Sequence, residues 1–289
     1  MESKTGVCIV VGALVAIGGG GRCGHADLMI PELGTPVLVD FSSFSGAGFS
    51  PSPSAGQLDS TTWRVGGFTD GTLNYGDTGV TGDFARGPSP GGVTSGGVYA
   101  FELAQDDRAL GVQPTGTDFN PGFVELRIRN STGSAVSGWE VSYDVYYRND
   151  QGRSSSWNFA YSTDGLSFSG VPELDFASPA EADSTTFVKA PRSTTIYSDV
   201  PPDGHLFFRW TSADVGGTGS RDELALDNLA VGGLGTAATP EPSSLVLVAA
   251  AALSAWGFGW RLRRMRGGGS RAKRVPQAEG ALPTAMRGA

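Results

Sequence analysis

Polar and apolar residues alternate along two stretches in the middle of the chain, residues 123–129 and 139–145. In the first stretch, after Phe123, one parity is apolar and the other is charged: Val124, Leu126 and Ile128 against Glu125, Arg127 and Arg129. In the second, four large apolar side chains alternate with polar ones: Trp139, Val141, Tyr143 and Val145 against Glu140, Ser142 and Asp144. A period of two residues is that of a β-strand with one face in a core and the other in water.

Similar strand-like runs recur between turn residues, and no amphipathic helix of useful length interrupts them. They include residues 37–41, 61–65, 98–103, 157–161, 185–188, 194–197, 205–210 and 223–231. About ten strands without helices predict two packed antiparallel sheets, a β-sandwich or jelly roll. The sequence therefore predicts one all-β domain over residues 27–235.

The C-terminal part of the chain has a different pattern, because residues 242–260 contain no charged side chain. As a helix this run would extend about 28 Å, close to the hydrocarbon thickness of a bilayer. A cluster of arginines follows it directly: Arg261, Arg263, Arg264 and Arg266. Arginines beside a span stay on the cytoplasmic side. The pattern therefore predicts a single transmembrane helix with the preceding domain outside.

The apolar run is preceded by Pro240, Glu241 and Pro242, whose prolines favour an extended backbone. The order of this motif, the apolar run and the arginine cluster resembles the PEP-CTERM sorting signal of exported bacterial proteins. The resemblance covers residues 236–266 and implies recognition by an exosortase, a membrane-embedded cysteine protease that cleaves near the motif. Chains of that family usually stop soon after the arginines, whereas residues 267–289 continue here as a basic tail that we expect to be disordered. A plain single-pass anchor is therefore the alternative.

The first 26 residues are typical of a secretory signal peptide, and we expect signal peptidase to cleave after Ala26. Both cysteines, Cys8 and Cys23, lie in that segment, so the remaining chain has no thiol for disulfides, catalysis or metal binding. We therefore expect an exported protein of the cell envelope. It would be anchored in the membrane before processing, and would then reside at the cell surface or in the extracellular matrix.

The charge is distributed unevenly between the predicted segments. Residues 27–239 contain 11 basic and 26 acidic side chains, whereas residues 240–289 contain 8 basic and 2 acidic ones. An acidic exported domain argues against nucleic-acid binding, which needs a basic surface. The basic end is best interpreted as a determinant of membrane topology.

The predicted domain also shows a recognisable succession of motifs. Residues 97–101, 107–111 and 123–130 are followed by the strand of Trp139 and then by residues 159–165. This succession resembles bacterial surface β-sandwich domains, and residues 224–231 resemble the closing strand of concanavalin-like jelly rolls. The resemblance implies a sandwich domain on an exported protein and implies no fixed reaction.

The sequence offers few candidates for catalysis, and we expect no enzymatic activity. After residue 26 the sequence contains one histidine, His205, and no cysteine, which excludes cysteine–histidine chemistry. Residues 87–91 match G-x-S-x-G, but Pro90 lacks the N–H that the oxyanion hole of a nucleophile elbow needs. A glycoside hydrolase or lyase is an alternative, because such enzymes use two carboxylates. Four acids lie on strand-like runs: Glu102, Glu125, Glu140 and Asp144.

Two binding hypotheses follow from the remaining polar and aromatic residues. Oxygen ligands from the first and last strands are the kind that Ca²⁺ prefers, which makes Ca²⁺ the candidate metal and its ligands Asp40, Asp222, Glu223 and Asp227. Ordinary acidic turns are the alternative. Trp157 follows three serines and is the tryptophan that we expect to be exposed for stacking on a glycan. The predicted function is a non-catalytic envelope or matrix protein; the alternative is a carbohydrate-binding module for exopolysaccharide.

Overall fold

The computed structural model describes residues 27–235, and in that range it contains 18 β-strands, two 3-10 turns and no α-helix. The strands are β1 (Leu28–Ile30), β2 (Val37–Val39), β3 (Phe49–Ser50), β4 (Leu58–Asp59), β5 (Trp63–Phe68), β6 (Gly71–Leu73), β7 (Pro88–Ser89), β8 (Gly97–Ala104), β9 (Asp107–Gln113), β10 (Gly122–Asn130), β11 (Val136–Arg148), β12 (Arg153–Ser162), β13 (Ser169–Gly170), β14 (Phe176–Ala177), β15 (Val188–Val200), β16 (His205–Ser212), β17 (Asp214–Gly217) and β18 (Glu223–Leu234). The 3-10 turns are Gly82–Phe84 and Pro172–Leu174. The all-β prediction is confirmed for this range.

Two sheets hold all but two of these strands. Sheet A has nine, in the central order β13-β12-β16-β10-β5-β6 with β1, β14 and β17 attached. Sheet B has seven, in the order β15-β11-β18-β9-β8-β7 with β2 paired to β18. The central neighbours are mostly antiparallel, and the long strands from β10 onward alternate between the two sheets along the chain. The predicted antiparallel β-sandwich is therefore confirmed.

The alternation in the sequence decides which face of each strand is buried. The inward side chains of β10, β11 and β16 are at most 2% exposed and belong to one hydrophobic cluster: Val124, Leu126, Ile128, Trp139, Val141, Tyr143, Val145, Leu206, Phe208 and Trp210. Because these strands come from both sheets, the cluster is the interior of the sandwich. Removal of this apolar surface from water is the main force that holds the sheets together.

Aromatic rings fill the centre of this core. The ring of Trp210 lies 6.4 Å from that of Trp63, 5.6 Å from that of Tyr143 and 5.4 Å from that of Phe159, measured between centroids. The hydroxyl of Tyr143 donates a hydrogen bond to the carbonyl oxygen of Leu174 at 2.8 Å. The one polar group that Tyr143 brings into the core is thereby satisfied.

Strand β18 lies in the middle of sheet B and pairs with β11, β9 and β2. The pairing with β2 makes the first strand predicted from the sequence, residues 37–41, a neighbour of the last strand, whereas β1 pairs with β10 in sheet A. The register between β11 and β18 shifts between Ser142 and Asp144, and the nearby Asn228 has a φ of +51°. An extra residue on one strand produces this kind of β-bulge and re-aims the side chains around it.

Several predicted segments lie outside the described residues. These are the signal peptide 1–26, the sorting segment 236–266 with Pro240, Glu241, Pro242, Arg261, Arg263, Arg264 and Arg266, and the tail 267–289. Among residues 27–235 there is no helix with the length and apolar character needed to cross a membrane.

Candidate functional site

A cleft lies on the outer face of sheet B, where β11 and β15 run side by side. Its volume is about 350 Å³, and it is lined by Pro36, Glu140, Val141, Ser142, Ser193, Thr194, Thr195 and Ala230. Glu140 is directly opposite Thr195, and Ser142 is directly opposite Ser193. The period of the two strands therefore brings one carboxylate and three hydroxyl groups together on this face.

Small residues of β18 keep the cleft open. Glu140 is paired on its other side with Gly232, and Ser142 with Ala230. A Cβ atom at Gly232 would lie 3.4 Å from Cγ of Pro36 and 3.7 Å from Oε2 of Glu140. These are ordinary contact distances, so a side chain at position 232 would fill this space without a clash.

The polar groups of the cleft are free to bind a ligand. Within residues 27–235, the side chains of Glu140, Ser142, Ser193 and Thr195 make no hydrogen bond or ion pair with the protein. A carboxylate accepts hydrogen bonds from neighbouring hydroxyl groups, and serine and threonine both donate and accept. The cleft is therefore suited to a ligand that carries many hydroxyl groups.

An exposed aromatic residue stands next to the cleft. Tyr197 is 79% exposed and lies two residues beyond Thr195 on the same face of β15, a distance of roughly 7 Å along the strand. Its partner on β11 is Gly138, where a Cβ atom would be 3.7 Å from Cδ1 of Tyr197. Most of the ring is therefore in solvent, where a ligand can contact it.

The structure contradicts the prediction that Trp157 is exposed. Trp157 is 0% exposed, and its ring stacks on that of Phe119 with the centroids 6.0 Å apart. The preceding serines are buried too, and Ser156 exchanges hydrogen bonds with the backbone of Ala213. Trp157 is thus a core residue that cannot stack on a glycan. Tyr197 was not selected as a candidate from the sequence. Consecutive residues of a strand point to opposite faces, so the side chain next to the buried Ile196 is expected to point outward.

The strand acids considered for acid–base catalysis are divided between the two outer faces. Glu140 and Asp144 lie on sheet B, whereas Glu125 lies on the outer face of sheet A and is 0% exposed. Glu125 accepts hydrogen bonds from Nε of Arg209 at 2.6 Å and from the hydroxyl of Tyr75 at 3.0 Å. Glu140 and Asp144 lie on the other sheet and therefore do not form a carboxylate pair with Glu125.

Glu125 is the centre of a network that covers the outer face of sheet A. The guanidinium of Arg64 lies 3.5 Å from Oε1 of Glu125, opposite the bonds from Arg209. Arg209 in turn lies over the rings of Phe168 and Phe123, at 3.6 and 4.9 Å from their centroids. Burial and the negative charge of Glu125 raise the pKa of Tyr75 above its usual range, so its hydroxyl stays protonated and donates. Arg64 and Arg209 share the one carboxylate of Glu125, so loss of that carboxylate would leave both guanidinium groups without an anionic partner.

Two of the proposed calcium ligands are held by different parts of the chain. The carboxylate of Asp222 accepts hydrogen bonds from the hydroxyl of Ser178 at 2.5 Å and from the backbone N–H of Gln151 at 3.2 Å. Glu223 accepts bonds from the backbone N–H groups of the loop that contains Gly92. Burial raises the pKa of Asp222 to about 6 and also raises that of Glu223.

The other two proposed calcium ligands lie towards the other end of β18. Asp40 accepts the backbone N–H of Ser42 at 2.7 Å, which is the bond of a capped turn. Asp227 is 1% exposed beside Asn228, and burial raises its pKa to about 6. No three histidine, cysteine or acidic residues within residues 27–235 are arranged to hold a metal ion. The four proposed ligands thus do not converge on one point.

The remaining sequence candidates have structural partners. Nε2 of His205 lies 2.9 Å from the carboxylate of Asp27. Ser89 is 7% exposed, and its hydroxyl accepts the backbone N–H of Gly91 at 3.1 Å. The G-x-S-x-G match therefore consists of the short strand β7 and the Pro/Gly turn after it, with the serine bonded to the backbone of that turn, and it is not a nucleophile elbow.

Known structures resemble this chain over about half of its length. A carbohydrate-binding module specific for non-crystalline cellulose matches 50% of this chain and 83% of its own, at 11% identity and a TM-score of 0.33. The K3 cleaved adhesin domain of Lys-gingipain from Porphyromonas gingivalis w83 matches 49% and 80%, at 15% identity and 0.31. The CBM36-1 domain of a multidomain xylanase from the Trinervitermes trinervoides hindgut metagenome matches 50% and 94%, at 15% identity and 0.27. No protein-family model and no curated protein matches the chain.

Proposed function

We propose that residues 27–235 form a non-catalytic glycan-binding domain whose ligand lies in the cleft of sheet B. The observation that carries this proposal is the row of unbonded polar groups, Glu140, Ser142, Ser193 and Thr195, beside the exposed ring of Tyr197. A sugar ring presents hydroxyl groups at its edge and an apolar face above and below. The hydroxyls would bond to the cleft, and the apolar face would stack on Tyr197.

The charge of the cleft favours a neutral glycan over an acidic one. Glu140 is the only charged residue among those that line it. Its carboxylate would attract sugar hydroxyls as hydrogen-bond donors and repel the carboxylate of a uronic acid. The proposed ligand is therefore a neutral stretch of an extracellular polysaccharide.

A binding role fits this face better than glycoside hydrolysis. The nearest acid on the same face of β11 is Asp144, four residues from Glu140 and so about 14 Å along the strand. Pairs of catalytic carboxylates are about 5 to 9.5 Å apart. Asp144 is also bonded to Nζ of Lys189 at 2.6 Å, which leaves it poorly placed to act on a ligand in the cleft.

Two substitutions that spare the core test the cleft. Tyr197→Ala removes the stacking surface, and Gly232→Val fills the space between Pro36 and Glu140. We expect Tyr197→Ala to weaken binding to a neutral polysaccharide roughly two- to tenfold, because a stacked aromatic contact contributes about 0.5–1.5 kcal/mol. We expect Gly232→Val to weaken it as well, because the new side chain occupies space that the ligand would fill. The measurement is isothermal titration of the full chain with oligosaccharides chosen from a glycan array.

The control for these variants is Leu166→Ala. Leu166 is 85% exposed and does not line the cleft, so its removal should leave glycan affinity unchanged. Equal affinities of the wild type, Tyr197→Ala and Gly232→Val would refute the cleft as the binding site. Failure of the wild type to bind any neutral glycan would refute the proposed function.

We infer from the sequence that the domain acts outside the cell. The supporting features are the signal-peptide pattern of residues 1–26 and the PEP-CTERM-like order of residues 236–266. If an exosortase processes the chain, mass spectrometry of the native protein should find a C-terminus near residues 239–243, and Glu241→Ala should retain the uncleaved form in the membrane. An intact tail on most native molecules, in cells that carry an exosortase, would indicate a plain anchor instead.

A further inference from the structure

A second exposed apolar side chain, Leu38, lies on the outer face of sheet B beside the cleft. It is directly opposite Ala230 of β18, one of the residues that line the cleft. Leu38 is 49% exposed, whereas the next residue of β2, Val39, is buried in the core, so Leu38 points to the same face as the cleft. Tyr197 is on β15 and Leu38 is on β2, so the two exposed side chains stand on opposite sides of the cleft.

Small side chains form a continuous row between β15 and Leu38. Ser193, Ser142 and Ala230 are paired in turn across β15, β11 and β18, and Leu38 is the next member of this row. The first three side chains are no longer than a hydroxymethyl group, so none of them rises far above the sheet. A ligand in the cleft can therefore extend over Ala230 and reach Leu38.

The neighbouring row offers less room. A Cβ atom at Gly232 would lie 3.4 Å from Cγ of Pro36 and 3.7 Å from Oε2 of Glu140, so these two side chains flank the space above that glycine. Ala230 lines the cleft, whereas Gly232 does not. On the β18 side, the cleft therefore continues over Ala230, towards Leu38.

Both ends of this path are at edges of the sheet. Within the described part of the chain, β15 pairs with β11 alone and β2 pairs with β18 alone. In that range no further strand continues the sheet beyond Tyr197 or beyond Leu38. A ligand chain that lies across the four strands can therefore extend past both edges.

The separation of the two exposed residues sets a minimum length for a ligand that contacts both. Three strand spacings, about 14 Å, separate β15 from β2, and Tyr197 is about 13 Å from Ser193 along β15. The two side chains are thus roughly 20 Å apart across the face. A single sugar ring is far shorter, so only a chain of sugars can contact both.

We propose that the glycan crosses sheet B as a linear chain, from Tyr197 on β15 over the cleft to Leu38 on β2, and that Leu38 is a second residue that holds it. This inference rests on the proposed function and adds to it the class of ligand, an internal segment of a linear neutral polysaccharide. The apolar face of one sugar would stack on Tyr197, and that of a sugar further along the chain would lie on Leu38. Because both edges of the sheet are open, the ends of the glycan need not be free.

The test is a titration of the full chain with linear neutral oligosaccharides of glucose, xylose and mannose, each of one to six sugars. For the series that binds, we expect the affinity of the wild type to rise roughly tenfold from the disaccharide to the hexasaccharide, because only the longer chain contacts both exposed residues. Methyl groups on both ends of the hexasaccharide should leave its affinity unchanged, because the site holds an internal segment.

Leu38→Ala tests the second contact. It should weaken hexasaccharide binding roughly three- to tenfold, the effect of removing one or two methyl groups from an apolar contact, and should leave the disaccharide affinity unchanged. The matched control is Leu33→Ala, because Leu33 is 40% exposed, lies beside Gly235 and does not line the cleft. This control should bind both oligosaccharides as the wild type does.

Three results would overturn the inference and leave the proposed function standing. They are equal affinities for the disaccharide and the hexasaccharide, loss of affinity when the chain ends are methylated, and equal effects of Leu38→Ala and Leu33→Ala. Binding of a neutral glycan from the array, but of none of these linear chains, would also overturn the inference alone. If the wild type bound no neutral glycan, the proposed function would fail and this inference with it.

Discussion

Replacing Glu125 with alanine is expected to lower the free energy of unfolding by about 3–5 kcal/mol, the usual cost of breaking a buried ion pair from one side. The carboxylate of Glu125 joins Arg64 and Arg209 across three strands and also accepts the hydroxyl of Tyr75. Without it, two guanidinium groups face each other on a partly desolvated surface. The side-chain contacts that join β5, β10 and β16 on this face would then be lost.

Thermal unfolding monitored by circular dichroism measures this effect. For a domain of this size, 1 kcal/mol shifts the melting temperature by about 2–4 °C, so Glu125→Ala should melt roughly 6–20 °C below the wild type. Glu102→Ala is the control, because Glu102 is a strand glutamate whose side chain is 43% exposed and whose ion pair is 3.7 Å long. It should change the melting temperature by no more than about 2 °C. Similar behaviour of both variants would contradict a central role for Glu125.

Replacing Trp157 with alanine should also lower the free energy of unfolding by about 3–5 kcal/mol, the typical cost of removing a buried tryptophan. The side chain is 0% exposed and packs on Phe119, so its removal leaves a cavity that the rigid sheet cannot close. Urea denaturation of Trp157→Ala and Tyr197→Ala gives a direct comparison. Tyr197→Ala should be within about 0.5 kcal/mol of the wild type, as is usual for exposed positions.

The two aromatic variants should separate stability from binding. We expect Trp157→Ala to be destabilised yet to keep its glycan affinity at temperatures where it is folded, and Tyr197→Ala to show the reverse. If Trp157→Ala were as stable as the wild type but no longer bound the glycan, Trp157 would be a ligand-contacting residue. That result would also contradict the buried position of its ring.

The strands were predictable because their pattern is local. In β10 and β11 every second residue is apolar, and these are the side chains that the structure buries. β15 was only partly predicted: the run at 194–197 lies within the strand Val188–Val200, but only Val188 of the run at 185–188 belongs to it. The intervening Lys189, Pro191 and Arg192 look like loop residues in the sequence. A strand at the edge of a sheet tolerates such residues, and charges and proline there discourage pairing with other chains.

Burial of small polar residues was not predictable from the sequence. Ser154, Ser155 and Ser156 have the composition of an exposed loop, yet all three are buried within β12. Their hydroxyls bond to neighbouring segments, as Ser154 does with the carbonyl of Ser178. The cost of burying a hydroxyl is removed when it finds such a partner, and the partner is visible only in the folded chain. The exposure predicted for Trp157 was wrong for this reason.

The candidate sites depend on contacts between distant parts of the sequence. Glu125 and Arg209 are 84 residues apart, and the cleft combines β11 with β15, β18 and Pro36. The sequence indicates that Glu140 and Ser142 face outward, but it does not indicate which strands lie beside them. Strand order depends on packing between the sheets, and the pattern within a single strand contains no information about which strands lie beside it.

The position of β18 has a consequence for how the domain is made. Residues 223–234 are the last part of the domain to leave the ribosome, yet they form a central strand of sheet B with neighbours on both sides. Until they arrive, β11 and β9 each present an open edge that can pair with other chains. Folding must therefore wait until the whole domain has been synthesised, and a chain that stops before residue 223 would be prone to aggregation.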